Sequence, residues 1–444
     1  MRQNLLETYS RQLKVAEAYV AKNFDGKTVS ANTQLTTAVL LDNTNRFLTE
    51  SMSLDDSINP VTRGDLGAWK KFCLNLTNIA VPSLIANDLV IVHPMTSFSG
   101  SVAYLEYVAK DNKGGVNDGD VLNSVFGFGA NDEARINYTS QIVVEEVGAD
   151  GKLSFDAIEG GLTYVDGEEV KTATYKVDGV YTDTAPAAGV KVAYAAKQYQ
   201  MTQIPANRIP SIGPKMRRIP LVAEPRRIAV RYDQITAFQA KTDYGFSLDK
   251  QIAEQACGEL AFEIDTEIVD MLYKAAFAHT KKDKDGNVIP DVLTWSKTLP
   301  VGVSKFEHYN GFLEVVEEAK MIIYNRTRKF HPNYMVVAAD VMPVLKFVNG
   351  FNAVKNAKMN GPYKVGEIDG MDVYVSPLLR PGDFFLGLNG SDMMSSAGVY
   401  APYMAIVPTA LLSTPDGGMA QGFSTWYAKA LLNKNLLVAG RIEA

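Results

Sequence analysis

The sequence predicts an α+β protein, and three observations carry that expectation. Leu248, Ile252, Ala256, Leu260, Ile264, Ile268 and Leu272 recur at every fourth residue, the period of one face of a long helix. Downstream of it, "YMVVAAD", "MDVYVSP", "DFFLGL" and "VYAPYMAIVPT" are β-rich runs separated by Gly, Pro and Asp turns. The strands also stand far in sequence from their expected partners, which is the habit of α+β chains. With 444 residues, 46% hydrophobic and 21% charged, the chain is long enough for more than one core and has an ordinary globular composition.

Taken in order, residues 1–22 and 31–50 carry apolar positions at helical spacing (Leu6, Leu13, Val20; Leu35, Val39, Leu40, Phe47) and are expected to form an arm rather than a core. From Asn78 to Tyr107 a short apolar segment and a Pro-bounded turn lead into β alternation, and the Gly/Asn/Asp-rich Lys110–Asp120 is expected to be an exposed loop or hairpin end. Residues 140–200 contain short β runs ("QIVVEEV", "KLSFDAI", "GLTYV", "ATYKV") and predict a small β insertion. Arg226–Lys241 reads as one long extended strand.

Ser247 is the expected N-cap of the long helix, with Asp249 near the positive end of its dipole. Over some thirty residues such a helix is about 45 Å long at ~1.5 Å per residue, a spine for the molecule, although Gly245 and Gly258 weaken its continuity. Ser304-x-x-Glu307 fits a capping box opening a second helix with Phe312, Val316, Ala319 and Ile323 on one face. Asp340 is expected to cap a short helix through Phe347, and "FSTWYAKALL" to be the last strand.

Motifs for chemistry are missing. The four histidines (His93, His279, His308, His331) show no i, i+4 pair, and Cys73 and Cys257 have no ligand spacing, so they read as buried small hydrophobes. "GKT" at Gly26–Thr28 lacks the opening glycine of a phosphate loop, Ala21 standing in its place. No GxSxG elbow occurs, and "DKDGN" at Asp283–Asn287 has Thr294 where a calcium loop needs Glu, so it reads as a turn. Glu317 and Glu318 read as a solvated face.

A net charge of −6 gives no global attraction for nucleic acid, and the basic cluster Lys215, Arg217, Arg218, Arg226 and Arg227 reads as a solvated or subunit-facing edge. No apolar run reaches membrane-spanning length and Met1–Phe24 mixes charges into its apolar positions, so cytoplasmic synthesis is expected. No catalytic, cofactor-binding or metal-binding residue is expected.

"IAVPSLIANDLVIVHPMTSFSGSVAYL", the strand and long helix ending "EIDTEIVDMLY", and "AGVYAPYMAIVPT" followed by "MAQGFSTWYA" resemble, in order and spacing, segments of the major capsid proteins of T-even-type tailed phages. The resemblance covers about 78–108, 224–275 and 397–428. It implies the HK97-type capsid fold, with an N-terminal arm (1–77), an extended E-loop region (78–138), a β insertion (139–205), a return strand and peripheral domain on the spine helix (206–300), an axial domain (301–410) and a return strand (411–444).

It also implies a shell protein that assembles with itself into hexamers, pentamers remaining open, encloses double-stranded DNA without reading its sequence, and meets other capsid, portal or decoration proteins. The virion would then be its location, after synthesis in a bacterial cytoplasm. An encapsulin-type compartment on the same fold, and an α+β enzyme of unknown reaction, are the alternatives. On the capsid reading the apolar Val121, Leu122, Val125, Phe126 and Phe128 in a polar tip, with Arg217, Arg218, Arg226 and Arg227, are the candidate inter-subunit contacts. In "VYAPYMAIVPT", Tyr400 and Tyr403 would pack while Pro402 and Pro408 limit edge pairing. Leu48-Thr49-Glu50 resembles the family's hydrophobic-x-Glu cleavage site, yet the first fifty residues are expected to be retained.

Overall fold

The computed structural model describes residues 2–23, 29–55, 81, 84–110, 118–119, 121–123, 142–153, 157–166, 169–173, 175–176, 180–181, 185–196, 211–243, 245, 248–282, 288–327, 329–354, 361–409, 412–413 and 418–443. The chain is α+β and divides into two compact units, Met1–Val102 with Ile219–Ala444, and Ala103–Arg218.

The chain opens with helices α1 (Arg2–Thr8), α2 (Ser10–Asn23) and α3 (Ala31–Asp55), then a single turn α4 (Ala86–Leu89) and strands β1 (Ile91–Val92), β2 (Ser99–Ala109) and β3 (Val121–Asn123). β2 and β3 form an antiparallel hairpin, Tyr107 facing Asn123, as the turn-rich residues between them predict. The second unit then builds its own sheet from β4 (Ile142–Glu146), β5 (Ala157–Asp166) and β6 (Glu169–Ala173), with a small pair β7 (Tyr175–Lys176) and β8 (Val180–Tyr181), and closes with β9 (Lys191–Ala196). The strand order β4-β9-β5-β6 puts Leu162, Tyr164 and Val192 inside, so the insertion has a core of its own.

β10 (Ile212–Val222) returns the chain beside β2, and β11 (Glu224–Asp233) follows. The expected single strand over Arg226–Lys241 stops at Asp233. There the Asp233 side chain accepts from the Ile235 amide, and α5 (Gln234–Asp243) begins on residues that favour helix, Ala, Gln and Lys among them. The spine helix α6 (Leu248–Phe277) runs unbroken through Gly258, while Gly245 (φ +72°) lies before it in a conformation that suits glycine. Ser247, the expected cap, lies outside the described residues.

After it come a hairpin of β12 (Thr280–Lys282) and β13 (Val288–Pro290), whose turn Asp283–Asn287 lies outside the described residues, and then β14 (Val292–Ser296). The Ser304–Glu307 capping box is complete in both directions and opens α7 (Lys305–Asn310), which steps at Gly311 into α8 (Phe312–Thr327). Phe312, Val316, Ala319 and Ile323 are all buried, and Glu317 and Glu318 are exposed.

The remaining elements are β15 (Tyr334–Ala338), α9 (Met342–Leu345), β16 (Asn352–Ala353), β17 (Tyr363–Ile368), β18 (Met371–Ser376), β19 (Asp383–Gly387), β20 (Gly398–Pro408), β21 (Leu412–Ser413), β22 (Gly418–Leu431) and β23 (Leu437–Glu443). Asp340 does not cap α9. The N-cap position belongs to Val341, one residue on, and carries no side-chain bond. Nor is "FSTWYAKALL" the last strand: β23 follows it, inserted between β14 and β19 in a mixed seven-stranded sheet of order β14-β23-β19-β15-β18-β17-β16. Gly440 disguises that strand in the sequence. It is required because the Phe384 ring of β19 lies over it, and a Cβ there would meet the ring at 2.2 Å.

Two sheets share the spine. Its C-terminal half (Ile264, Ile268, Val269, Leu272) joins α8 and the seven-stranded sheet in the largest core. Its N-terminal half (Ala253, Ala256, Cys257, Leu260) packs on Ile406 and Phe423 of the second sheet, ordered β1-β20-β22-β11, with Ile228 and Val230 of β11 beside them.

β20 is no edge strand, contrary to the expectation from its prolines. It has β1 on one side and β22 on the other, and its register with β22 shifts just after Pro402 and again after Met404. Pro402 still offers its carbonyl, to the Met95 amide at 2.9 Å. Tyr400 is buried against Tyr427, ring centroids 5.6 Å apart, while Tyr403 is half-buried against Phe98 at 4.4 Å.

The N-terminal helices are also more than an arm. Leu48 of α3 is buried with Met404 and Val407, and Leu40 with Val81 and Ala405. Buried Asn43 fixes the position of α3 by donating both amide hydrogens, to Met95 O (2.8 Å) and Tyr403 O (2.7 Å). The sequence hides this because the apolar residues of α3 are interrupted by Thr36, Thr37, Asn43 and Thr44, all buried. Thr36 and Thr37 hydroxyls are satisfied by carbonyls one turn back.

Two outcomes are expected. Leu260 is 1% exposed at the centre of the upper spine cluster, so Leu260→Asp would delete packing and bury an unpaired carboxylate, where large-to-small change alone costs ~2–5 kcal/mol. The variant should fail to fold, and unchanged circular dichroism and melting temperature would contradict this packing. Asn43→Ala should take this donor from one buried and one half-buried carbonyl at a cost of about 1–3 kcal/mol. Hydrogen exchange should then show α3 opening ahead of the spine.

Candidate assembly surfaces

The polar groups at the centre of the large unit hold elements together. The period of two along β11 turns Arg226 towards the spine and leaves neighbouring Arg227 exposed. Arg226 forms a bidentate pair with Glu267 of the spine (Nε to Oε1 2.8 Å, Nη2 to Oε2 3.2 Å), and Lys429 of β22 reaches the same carboxylate at 2.6 Å. The Arg226 guanidinium also lies 5.6 Å from the centre of the Tyr427 ring. Burial alone would raise the Glu267 carboxyl, but the hydrogen bonds from Arg226 and Lys429 win and hold it at about 2.

Asp265, two residues earlier on the opposite face of the spine, is buried and accepts from the amides of Ile85 (3.2 Å) and Ala86 (2.9 Å) at the start of α4. Burial pushes its carboxyl up to about 7 against the pull of those two amides. Further along, Tyr273 donates to the fully buried Asp383 of β19 (2.6 Å), which Arg441 of β23 clasps at 2.6 and 3.1 Å. Arg326 of α8 pairs with Asp291 and donates to Leu437 O at 2.9 Å.

Asn43, Asp265, Glu267 and Asp383 were not singled out from sequence. Nothing local marks these residues off from their polar or turn-forming neighbours, and only their distant partners, such as Arg226 for Glu267, give them meaning.

No group of three or more His, Cys, Asp or Glu among the described residues could hold a metal ion. Cys257 is a buried thiol pushed up to about 12 by burial and by Glu254, as an inert core residue would be, and Cys73 lies outside the described residues. His279 donates from Nε2 to Lys434 O (2.7 Å), His308 stacks on Trp295 and His331 on Tyr324. Among the described residues, no helix is long and apolar enough to cross a membrane.

The sequence-predicted contact residues fall in different places. Val121 and Leu122 are on the short strand β3, whereas Val125, Phe126 and Phe128 lie outside the described residues. Lys215, Arg217 and Arg218 are exposed on β10, where adjacent residues point to opposite faces, so residues 214–218 of that strand are uncovered on both sides. Arg227 is exposed, with Trp426 6.0 Å away, and Arg226 is engaged inside the unit as described.

These are features of an unfinished surface around a rigid frame, and comparison with known proteins supplies the frame's identity. The family model of the major capsid protein Gp23 matches residues 66–441. The chain belongs to that family. It is a major capsid protein of a phage head, a structural protein of the virion that self-assembles into the capsid shell.

Among relatives, the major capsid protein of Enterobacteria phage T6 is 21% identical over 396 residues, 80% of this chain and 76% of that protein. That of Enterobacteria phage T4 is 19% identical over 393 residues, with 80% and 73% covered. Solved chains with a likeness include one of Microbacterium phage Oxtober96 (TM-score 0.36, 13% identity, 81% of this chain and 91% of that one). Another is in the capsid structure of the cyanophage P-SCSP1u (TM-score 0.35, 11% identity, 56% and 80%).

The central ion pair has a pH signature. A carboxylate held below its ordinary value stabilises the fold above about pH 4.5 and loses that contribution as pH falls towards about 2. Glu267→Gln should therefore lower stability at pH 7 by ~1–2 kcal/mol, solvent screening included, and leave Lys429 without its carboxylate while Arg226 keeps Glu224 at 3.3 Å. Urea unfolding at pH 7, 4 and 3 should show the difference between variant and parent shrinking as pH falls.

Proposed function

We propose that identical copies of this chain form hexameric capsomers of a closed icosahedral head, with pentamers an open second form, enclosing double-stranded DNA. The family match across residues 66–441 carries this reading. On it the chain acts by assembling and not by catalysis. An HK97-type arrangement would place the peripheral domain on the spine helix, the axial domain within 301–410 and an extended E-loop within 78–138. The net charge of −6 suits a lining that confines DNA without gripping it or reading its sequence. Portal, decoration and other capsid proteins would be further partners, and synthesis would take place in the host cytoplasm.

The E-loop tip, with Val121, Leu122, Val125, Phe126 and Phe128, is the proposed contact with a neighbouring subunit, and the exposed Arg217, Arg218 and Arg227 are proposed contacts beside it. Arg226 holds Glu267 and so would support that edge from within. Apolar residues in an otherwise polar stretch of sequence are what an interface anchor would look like, and a closed shell would give each of them a neighbour.

Replacing Lys110–Asp132 by an Asn-Gly turn should preserve the far-UV spectrum, because shortening a loop changes closure entropy by only ~0.6 kcal/mol per twofold in length. Electron micrographs should show shells from the parent and none from the variant. Normal shells from the shortened chain would remove the tip from the assembly contact, and a parent that stays monomeric across concentration and salt would overturn the shell reading.

A further inference from the structure

We propose that the apolar, lysine-bearing loop before α7 in one copy docks on the glutamate-bearing exposed face of α8 in the next, making a head-to-tail contact. The proposal rests on the shell reading above, in that it names which surfaces meet.

The loop leaves β14, the edge strand of the seven-stranded sheet, and runs as "KTLPVGVSKF" from Lys297 to Phe306. Its apolar side chains do not turn inward. Val301 is fully exposed, Phe306 is half exposed, and Leu299 and Val303 are also open to solvent. Phe347 continues the same patch, since the Lys305 ammonium lies 5.8 Å from its ring and 5.5 Å from that of Tyr309. Four exposed apolar residues within eight positions are costly to leave in water and mark an interaction site. The cations around them are Lys297, Lys305 and Lys346, all exposed.

The face of α8 turned away from the core has the opposite charge. Glu314, Glu317 and Glu318 are exposed there, with Met321 and Tyr324 one and two turns further on, also exposed. Glu317 is occupied by Lys320 at 2.8 Å. Glu314 and Glu318 have no ion-pair partner within the described residues, and neither do Lys297 and Lys346. One surface therefore offers apolar side chains rimmed by free cations, and the other apolar side chains rimmed by free anions. Both sit on one unit of every copy, so the partner that fits each of them is a second copy of this chain. Two different patches meeting head to tail generate a ring when the rotation closes, which an isologous pair cannot do.

The test uses the full chain. Glu314→Lys with Glu318→Lys makes a copy with two cationic surfaces, and Lys297→Glu with Lys346→Glu makes one with two anionic surfaces. Each alone should need at least ~10-fold more protein to form capsomers or shells by sedimentation and electron microscopy, because like charges then face each other. An equimolar mixture should restore assembly near the parental concentration, since the two copies can alternate around a ring of even number. Assembly of either variant at the parental concentration would overturn the contact, as would a mixture of folded variants that stays dispersed.

A second measurement avoids dependence on the folding of the swapped chains. Val301→Cys and Met321→Cys chains, mixed, assembled and treated with a short bismaleimide, should give a crosslinked dimer that neither chain gives alone. Its absence from assembled particles would also overturn the contact. If the parent itself never assembles, the shell reading fails. If the parent assembles and the swaps change nothing, only this contact fails.

Discussion

The architecture of the large unit depends on the apolar stripe of one thirty-residue helix serving two sheets at once. Residues 253–260 of the spine are committed to β20, β22 and β11, and residues 264–276 to the seven-stranded sheet and α8. Two cores built on one helix cannot rotate about each other without breaking one of them, because close-packed interiors tolerate little displacement. Where the stripe passes from one core to the other, the helix carries Asp265 and Glu267, and these tie it to α4 on one side and to β11 and β22 on the other. Directional polar bonds thus stand where nonspecific packing would allow the helix to slide. Asp383 does the same for the lower sheet, held by Tyr273 of the spine and Arg441 of β23.

What sequence revealed and what it hid divide along a physical line. The spine, α7 with its capping box, α8, β15 and the β2–β3 hairpin were legible because each has a local signature: helical period, a cap, an apolar run or a turn. Elements whose character comes from a distant partner were not. β23 has Gly440 where a strand former is expected, and only the Phe384 ring explains it. α3 reads as an arm because its buried polar residues blur the apolar stripe, yet Asn43 is there to bond carbonyls 52 and 360 positions away. α5 was missed because the β11 alternation seemed to continue, with Asp233 marking the change. Of the candidate contact residues, Arg226 shows the same limit. A basic cluster looks uniform in sequence, and on β11 the period of two turns Arg226 to Glu267 while leaving Arg227 to solvent.

The polar groups with the largest shifts among the described residues are engaged inside the fold. Here the strongly shifted carboxyls are used up by internal partners: Glu267 by two cations and Asp265 by two backbone amides. Cys257 is sealed in the upper core and His279 is bonded to a backbone carbonyl. Among the described residues, these perturbed groups fasten elements of the fold together.

A protein built to be one tile of a shell should differ from a self-sufficient enzyme in where its rigidity ends. The two-core frame is closed in a single copy, down to Asn43 of the N-terminal helices bonded into it. Elsewhere, residues 214–218 of β10 are exposed on both faces, and the loop after β14 holds apolar side chains out to solvent. Strand edges and apolar loops left this way are liabilities for a free monomer, inviting unregulated association. They become useful when the geometry of the frame dictates which neighbour can reach them. Curvature of a shell is set by the angle between successive tiles, so the surfaces that bind must be carried on elements that do not flex relative to each other. The loop after β14 and the acidic face of α8 meet that requirement, because both are anchored on the seven-stranded sheet's core through Trp295 and Phe312, whose rings are 5.5 Å apart.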